Sequence, residues 1–346
     1  MAVTSTPQPT QPAAPDAAPA GAAPTRRRTS RARLTAVRFS RNRTALFGLV
    51  LLVLLFLMAY VAPLFYQWGY DELDFDAFQQ PPSATHWFGT DQAGADLFAM
   101  TARGMQKSLV IGILVGIICT VLAALVGASA AYFGGWVDRI LMWVVDLLLV
   151  MPSFLIIAVL SPVFQGSTWL LFVVLLAAFS WMITGRVVRS MTMTLKDREF
   201  VKAAKYMGVP DLVIIFRHIV PSMASMLIID ATIQVSAAII GETGLSYFGF
   251  GVQTPDVSLG TVIASGTPDA PSFPWLFYFP AGCLVLIGLS IAFIGDGLRD
   301  ALDPSSSTAK ARPPRRDRKA DRRGDEIPGA DANPTATSSS DVLGTP

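Results

Sequence analysis

Charge is scarce in this sequence. Asp, Glu, Lys and Arg make up 15% of its 346 residues and apolar residues 52%. An ordinary soluble domain carries about 25% charge. That deficit excludes a typical cytosolic globular enzyme. Cysteine is scarcer still. Cys119 and Cys283 each sit inside an apolar run, which excludes a disulfide framework and makes both read as small core residues. His86 and His218 are the only histidines. Two isolated histidines cannot build a zinc or haem site without many carboxylate partners. Nor do they supply a credible nucleophile–His–carboxylate set. No G-x-x-x-x-G-K-[ST] loop is present, so the chain is not expected to hydrolyse nucleotide itself. Gly249-Phe250-Gly251 lacks the strand–helix surroundings of a dinucleotide loop. The reading is of a chain with no catalytic residue, no cofactor and no metal ligand of its own.

What charge there is lies at the ends. Of 27 Lys and Arg, eight precede residue 44 and nine lie from Arg299 onward. Because they flank apolar segments, the net charge of +2 is no argument for a nucleic-acid partner. The long uncharged stretches between them indicate a polytopic, all-α membrane protein in contact with lipid. Residues 1–24, rich in Ala, Pro, Thr and Gln, cannot bury enough surface to order themselves. The tails, 1–40 and 305–346, are expected to be disordered, and 41–304 to form the membrane domain.

Six spans are predicted: about 45–62, 108–137, 137–160, 169–188, 219–247 and 275–295. Pro152 kinks the third, and turn residues at 161–168 separate it from the fourth. A loop at about 64–105 follows the first span. Residues 64–98 hold six acids and no Lys or Arg. The arginine cluster before the first span and the basic stretch at 190–217 then face the cytoplasm, with both termini, and the acidic loop lies outside. Arg103 and Lys107 are exceptions on the outer side. Gly112 with Gly116, and Gly127 with Ala131, have the small-xxx-small spacing of close helix contacts. Acids in or near spans are Asp146, Asp230, Glu242 and Asp296. Asp146 and Asp296 read as interfacial or subunit-pairing groups. Asp230, the deepest, reads equally as a structural hydrogen-bonding group or as part of a pathway.

The stretch 197–209 is a short amphipathic helix between two spans. Helical spacing puts Arg198, Lys202 and Lys205 on one face and Phe200, Ala203, Ala204 and Met207 on the other. Gly208, with Pro210 behind it, ends the helix. Its small apolar face suits a docked protein; a helix lying on lipid or packed on its own spans is the alternative.

This stretch resembles the cytoplasmic loop of ABC-importer permeases: E-A-A, three residues, Gly, nine residues, then I-x-L-P. The pattern falls on Lys202-Ala203-Ala204, Gly208 and His218-Ile219-Val220-Pro221. Lys202 replaces the first Glu, so any ion pair of that Glu does not carry over; Glu199 stands one turn earlier. Arg217-His218-Ile219-Val220-Pro221, His86-Trp87-Phe88-Gly89-Thr90-Asp91 with Gly94-Ala95-Asp96, Tyr132 to Asp138 and Gly295 to Pro304 resemble the peptide-importer branch, specifically its C-type (DppC/OppC-like) permease subunits. The resemblance covers about residues 41–304. It implies a type I (MetI-like) permease fold in the bacterial plasma membrane. It also implies a B-type permease partner, two ATPase subunits that bind ATP and Mg, and an extracytoplasmic substrate-binding protein. Glu199, Lys202, Ala203, Ala204, Gly208, His218 and Pro221 would couple the chain to the ATPases. Substrate-binding residues are not legible. A secondary transporter or channel without ATPases is the other reading, weakened by the lack of an internal repeat or paired intramembrane charges.

Overall fold

The computed structural model describes residues 31–161, 169–253 and 255–302. The expected tails at 1–30 and 305–346, and the turn at 162–168, lie outside the described residues. Residues 31–40, expected to be part of a disordered tail, instead form helix α1 (Arg31–Ser40). Phe39 of α1 reaches Gly297 near the end of the chain's last helix, which gives the segment a surface to order on.

Asn42 begins the next helix, its side chain accepting from the Thr44 and Ala45 N–H groups. That helix, α2 (Arg43–Tyr60), is apolar throughout. An irregular loop follows, and α3 (Leu97–Phe133) starts eleven residues before the predicted second span. The reason is local. Asp96 caps α3 by accepting from the Ala99 N–H at 2.8 Å. The 64–105 loop boundary is therefore corrected to residue 96. Gly134 and Gly135, with φ of 63° and 56°, make the tight turn into α4 (Gly135–Val150).

Pro152 does more than kink the third span. α4 and α5 (Ser153–Leu160) meet at 79°. A second bend, of 47°, separates the α6 segment (Trp169–Ala178) from α7 (Met182–Leu195). Among the described residues four helices are long and apolar enough to cross a membrane, and the number is six if each bent pair is one span. After α7 come α8 (Glu199–Tyr206), α9 (Asp211–Ile214), a π-helical turn (Ile215–Ile219) and α10 (Val220–Ser222). α11 (Ala224–Tyr247) returns through the bundle; α12 (Leu259–Gly266) is short and carries a Ser258–Thr261 capping box. α13 (Trp275–Leu302) closes the chain.

α3 is the hub. In lipid, helix association rests on close packing rather than on water exclusion, so backbones must approach. A methyl at Gly116 would stand 2.6 Å from Val235 Cγ2 of α11, and one at Gly127 3.0 Å from the Arg189 N of α7. Gly112 likewise faces Ile239 of α11. Around these glycines Ile111, Val115, Cys119 and Ala123 are buried with Val188, Ala177 and Ala238. Gly116→Leu should therefore cost about 1–3 kcal/mol through overpacking. Gly288 of α13 has open space at its Cβ position. Thermal unfolding in detergent should show Gly116→Leu well below wild type and Gly288→Leu near it.

Candidate functional site

Two ends of the bundle carry chemistry. At one end, α8 is built by simple rules. Glu199 in its first turn and Lys205 in its last complement the helix dipole. Gly208, at φ +76°, turns the chain away; its N–H donates to Lys205 O at 3.0 Å and the Val209 N–H to Ala204 O at 3.1 Å. That double closure is a Schellman motif.

The predicted apolar face of α8 splits. Val201 and Ala204 are buried in the core with Ile214, Ile215 and Ile219. Phe200, Ala203, Tyr206 and Met207 face outward, Tyr206 being 90% and Met207 75% exposed. Placing Ala204 with Ala203 was thus wrong: a helix this short is seated on its own protein by one stripe at i, i+3 and offers the next. Two contacts fix the seat. Tyr132 Oη donates to Asp211 Oδ1 at 2.7 Å, and Lys196 Nζ donates to Ala131 O at 3.0 Å. Lys202 lies 3.7 Å from Asp197, both on the exposed side, and Glu199 is exposed beside them. Beyond Gly208, Leu212, Val213, Phe216, Arg217 and Pro221 line a shallow cavity of about 420 Å³. His218 is half-buried beside it, its carbonyl accepting from Ser222 Oγ at 2.6 Å. Exposed apolar side chains so grouped mark a surface for contact with protein or membrane. α8 thus brings Glu199, Lys202 and Ala203 to the surface with Gly208. His218 and Pro221 belong to the adjoining segment, and Ala204 serves the interior.

At the other end the acidic loop folds around His86, which is 2% exposed. Its Nδ1 donates to Asp96 Oδ2 at 2.8 Å, its Nε2 lies 3.4 Å from Asp74 Oδ2, and Trp68 stacks on its ring at 4.9 Å. Tyr66 Oη donates to Asp96 at 2.6 Å. Burial, reinforced by the Asp96 carboxylate, pushes the Tyr66 phenol above its usual range, so it remains a donor. Arg103 and Lys107, the charge exceptions, find partners here. Lys107 Nζ is 2.9 Å from Asp256 and 4.7 Å from the Trp169 ring centroid; Arg103 lies 5.0 Å from the Tyr70 centroid.

Beneath them sits a polar node that sequence reasoning missed. Glu242 is fully buried, accepting from Ser108 Oγ and Ser246 Oγ at 2.7 Å each. Ser246 Oγ in turn accepts from the Val252 N–H at 3.0 Å. One carboxyl thus ties α3, α11 and the following loop. The Glu-x-x-x-Ser spacing at 242 and 246 was the available signal. Among the described residues no group of three or more His, Cys, Asp and Glu is placed to hold a metal ion.

The geometry defines a polytopic helical membrane protein whose conspicuous surfaces suit partners rather than reactions. Residues 120–308 match the inner membrane components of binding-protein-dependent transport systems. Residues 30–82 match the N-terminal transmembrane domain of oligopeptide transport permease C. The oligopeptide transport system permease protein OppC of Mycobacterium tuberculosis strain H37Rv is 56% identical over 282 residues, 81% of this chain and 97% of that one. A putative peptide permease protein of Brucella suis is 40% identical over 272 residues, 78% of this chain and 90% of the relative. The OppC of Bacillus subtilis is 35% identical over 270 residues, 78% and 88% respectively. The chain belongs to the family of binding-protein-dependent transport system inner membrane components. It is a non-catalytic permease subunit of the OppC-like kind.

Proposed function

We propose that this chain forms, with a second, B-type permease, the pathway through which an ATP-driven importer moves peptides across the bacterial plasma membrane. The identity of 56% across 97% of an oligopeptide permease carries the reading. Two ATPase subunits supply ATP hydrolysis, and α8 with the 212–221 surface is where they dock. An extracytoplasmic binding protein delivers substrate to the acidic-loop end. Both termini and α8 lie in the cytoplasm. The basic residues of the α8 end and the six acids of residues 64–98 support that orientation.

Uptake of a labelled tripeptide into proteoliposomes holding the full complex tests the function. ATP- and binding-protein-dependent uptake is expected. Uptake that survives omission of the ATPases, driven by a proton gradient, would favour a secondary transporter instead. Orientation is tested separately. Asp76 and Asp197 are both exposed. In intact cells an impermeant thiol reagent should label Asp76→Cys and spare Asp197→Cys. The reverse pattern would overturn the orientation.

A further inference from the structure

Asp230, like Glu242 in the same helix, is an acid in a span that no described cation answers, but unlike Glu242 it keeps an oxygen without any hydrogen-bond partner. It lies with Gln234 in the middle third of the stretch from Val220 to Tyr247. Its Oδ1 accepts from Thr184 Oγ1 at 3.0 Å, while Oδ2 is buried without a hydrogen-bond partner. Among the described residues no Lys, Arg or His pairs with it. The arginines of α7 are engaged elsewhere, Arg186 with Asp146 and Arg189 with Asp138. A carboxylate at such depth costs roughly 2.5–3.5 kcal/mol on insertion scales when nothing compensates it.

What faces Asp230 is also irregular. The bend between α6 and α7 breaks the helix at 179–181 and frees a carbonyl, and Gln234 Nε2 donates to Ser180 O at 2.8 Å. Ser180 is exposed, as are Ile233 and Ala237 beside Gln234. The seam therefore opens beside the exposed side of α11, where Ile233 and Ala237 line a cavity of about 330 Å³ with Ile291, Ala292 and Gly295 of α13. Toward the acidic-loop end the same side continues past Gly241 and Gly244, each with open space at its Cβ position. α11 is the least apolar of the four long helices and the least buried. A polar seam at a broken helix, half-open at mid-depth, does not suit contact with lipid tails; non-helical backbone at that depth belongs in protein or beside a water-filled cavity.

We propose that Asp230, Gln234 and the Ser180 carbonyl form a pathway subsite for a cationic group of the substrate, an ammonium or guanidinium. The free valences there are acceptors: a carboxylate oxygen, a side-chain amide oxygen and a carbonyl lone pair. A peptide always brings one such donor at its free N-terminus and a second where it contains Lys or Arg. The proposal rests on the peptide-permease reading, and its test separates the two.

Gln234→Cys is introduced into the chain within the full reconstituted complex, with the parent chain as control for the buried Cys119 and Cys283. Its modification by aminoethyl and by sulfonatoethyl methanethiosulfonate is timed, each rate normalised to a free thiol. The cationic reagent should react about tenfold faster, the effect expected of one opposite charge at a partly screened site. Adding Asp230→Asn should bring the ratio near one, and Asp230→Glu should restore it. Ser180→Cys is the second reporter, in case Gln234→Cys disturbs the seam. Uptake of trialanine and of Ala-Lys-Ala by Asp230→Asn then tells the sources apart. Slowing of both identifies the N-terminal ammonium; slowing of Ala-Lys-Ala alone identifies the side chain. Two results overturn the subsite: neither reporter reacting in any state, as when a cation of the second permease fills the seam, or a ratio that Asp230→Asn leaves unchanged. Charge selectivity without any peptide uptake would keep the subsite and reject the peptide reading. Normal uptake without selectivity would do the opposite.

Discussion

A glutamate in place of Ala203 is expected to abolish substrate-stimulated ATP hydrolysis and uptake while the chain still inserts and pairs with its partner permease. Ala203 is exposed, so the change meets nothing in this chain. Its neighbours on that side, Phe200 and Met207, are the apolar groups an ATPase would cover. A bulky acid there clashes on docking and carries an unpaired charge into the interface. Loss of a central anchor costs about 2 kcal/mol or more. That is about 30-fold in the docking equilibrium. Two controls sharpen the result. Ala204→Glu puts a charge where the side chain is 2% exposed, and should reduce the amount of folded protein rather than its coupling. Lys202→Glu disturbs an exposed pair with Asp197, a contact of about 0–1 kcal/mol, and should leave uptake close to normal. ATPase rate and vesicle uptake of the reconstituted complex decide it. Wild-type uptake in Ala203→Glu would remove the α8 docking assignment.

The second large effect is expected at Asp96. This carboxylate, 1% exposed, caps α3 through the Ala99 N–H and receives His86 Nδ1 and Tyr66 Oη. Asp96→Ala strands the Ala99 and His86 donors and leaves Tyr66 Oη only the Thr85 carbonyl, at 3.0 Å. Loss of the cap alone costs about 1 kcal/mol. Breaking a buried ionic or charge-assisted contact by removing one partner costs about 3–5 kcal/mol. The loop end should therefore open, with α2–α13 little affected. Proteolysis in the 66–96 loop and thermal unfolding in detergent measure it. Asp96→Asn, which keeps an acceptor, should lose markedly less. Equal stability of Asp96→Ala and wild type would mean that the His86 cluster does not hold the loop.

Much of this architecture was legible because the features were local. Uncharged runs gave the apolar segments, Pro152 and Gly134-Gly135 marked breaks, and the glycine pair 112 and 116 marked a close helix contact, whose partner α11 only the fold supplies. The shortfalls come from contacts distant in sequence. Arg103 and Lys107 looked anomalous because Asp256, their partner, lies about 150 residues on, and so α3 was begun too late. Glu242 was named among the acids in or near spans without a role, because its partner Ser108 is supplied by another helix. In α8 the amphipathic pattern was plain, but periodicity cannot tell which apolar stripe meets the protein's own core and which meets a partner. The docking residues thus came from the motif, and only coordinates separate Ala203 from Ala204.

The two bends have a consequence for how the chain enters the bilayer. α5 has eight residues and α6 has ten, so neither crosses alone. Asp138 binds Arg189 through two oxygens, at 2.5 and 2.6 Å, and Asp146 binds Arg186, an antiparallel zip between α4 and α7. A nascent chain ending near residue 160 would present both acids without Arg186 and Arg189, and an eight-residue helix behind a 79° break. The expected result is that the translocon keeps α4 and α5 until α6 and α7 have been synthesised, which crosslinking of stalled nascent chains would read. Membrane integration would then advance in a two-span step at the centre, with Arg186 and Arg189 supplying the counter-charges of Asp146 and Asp138.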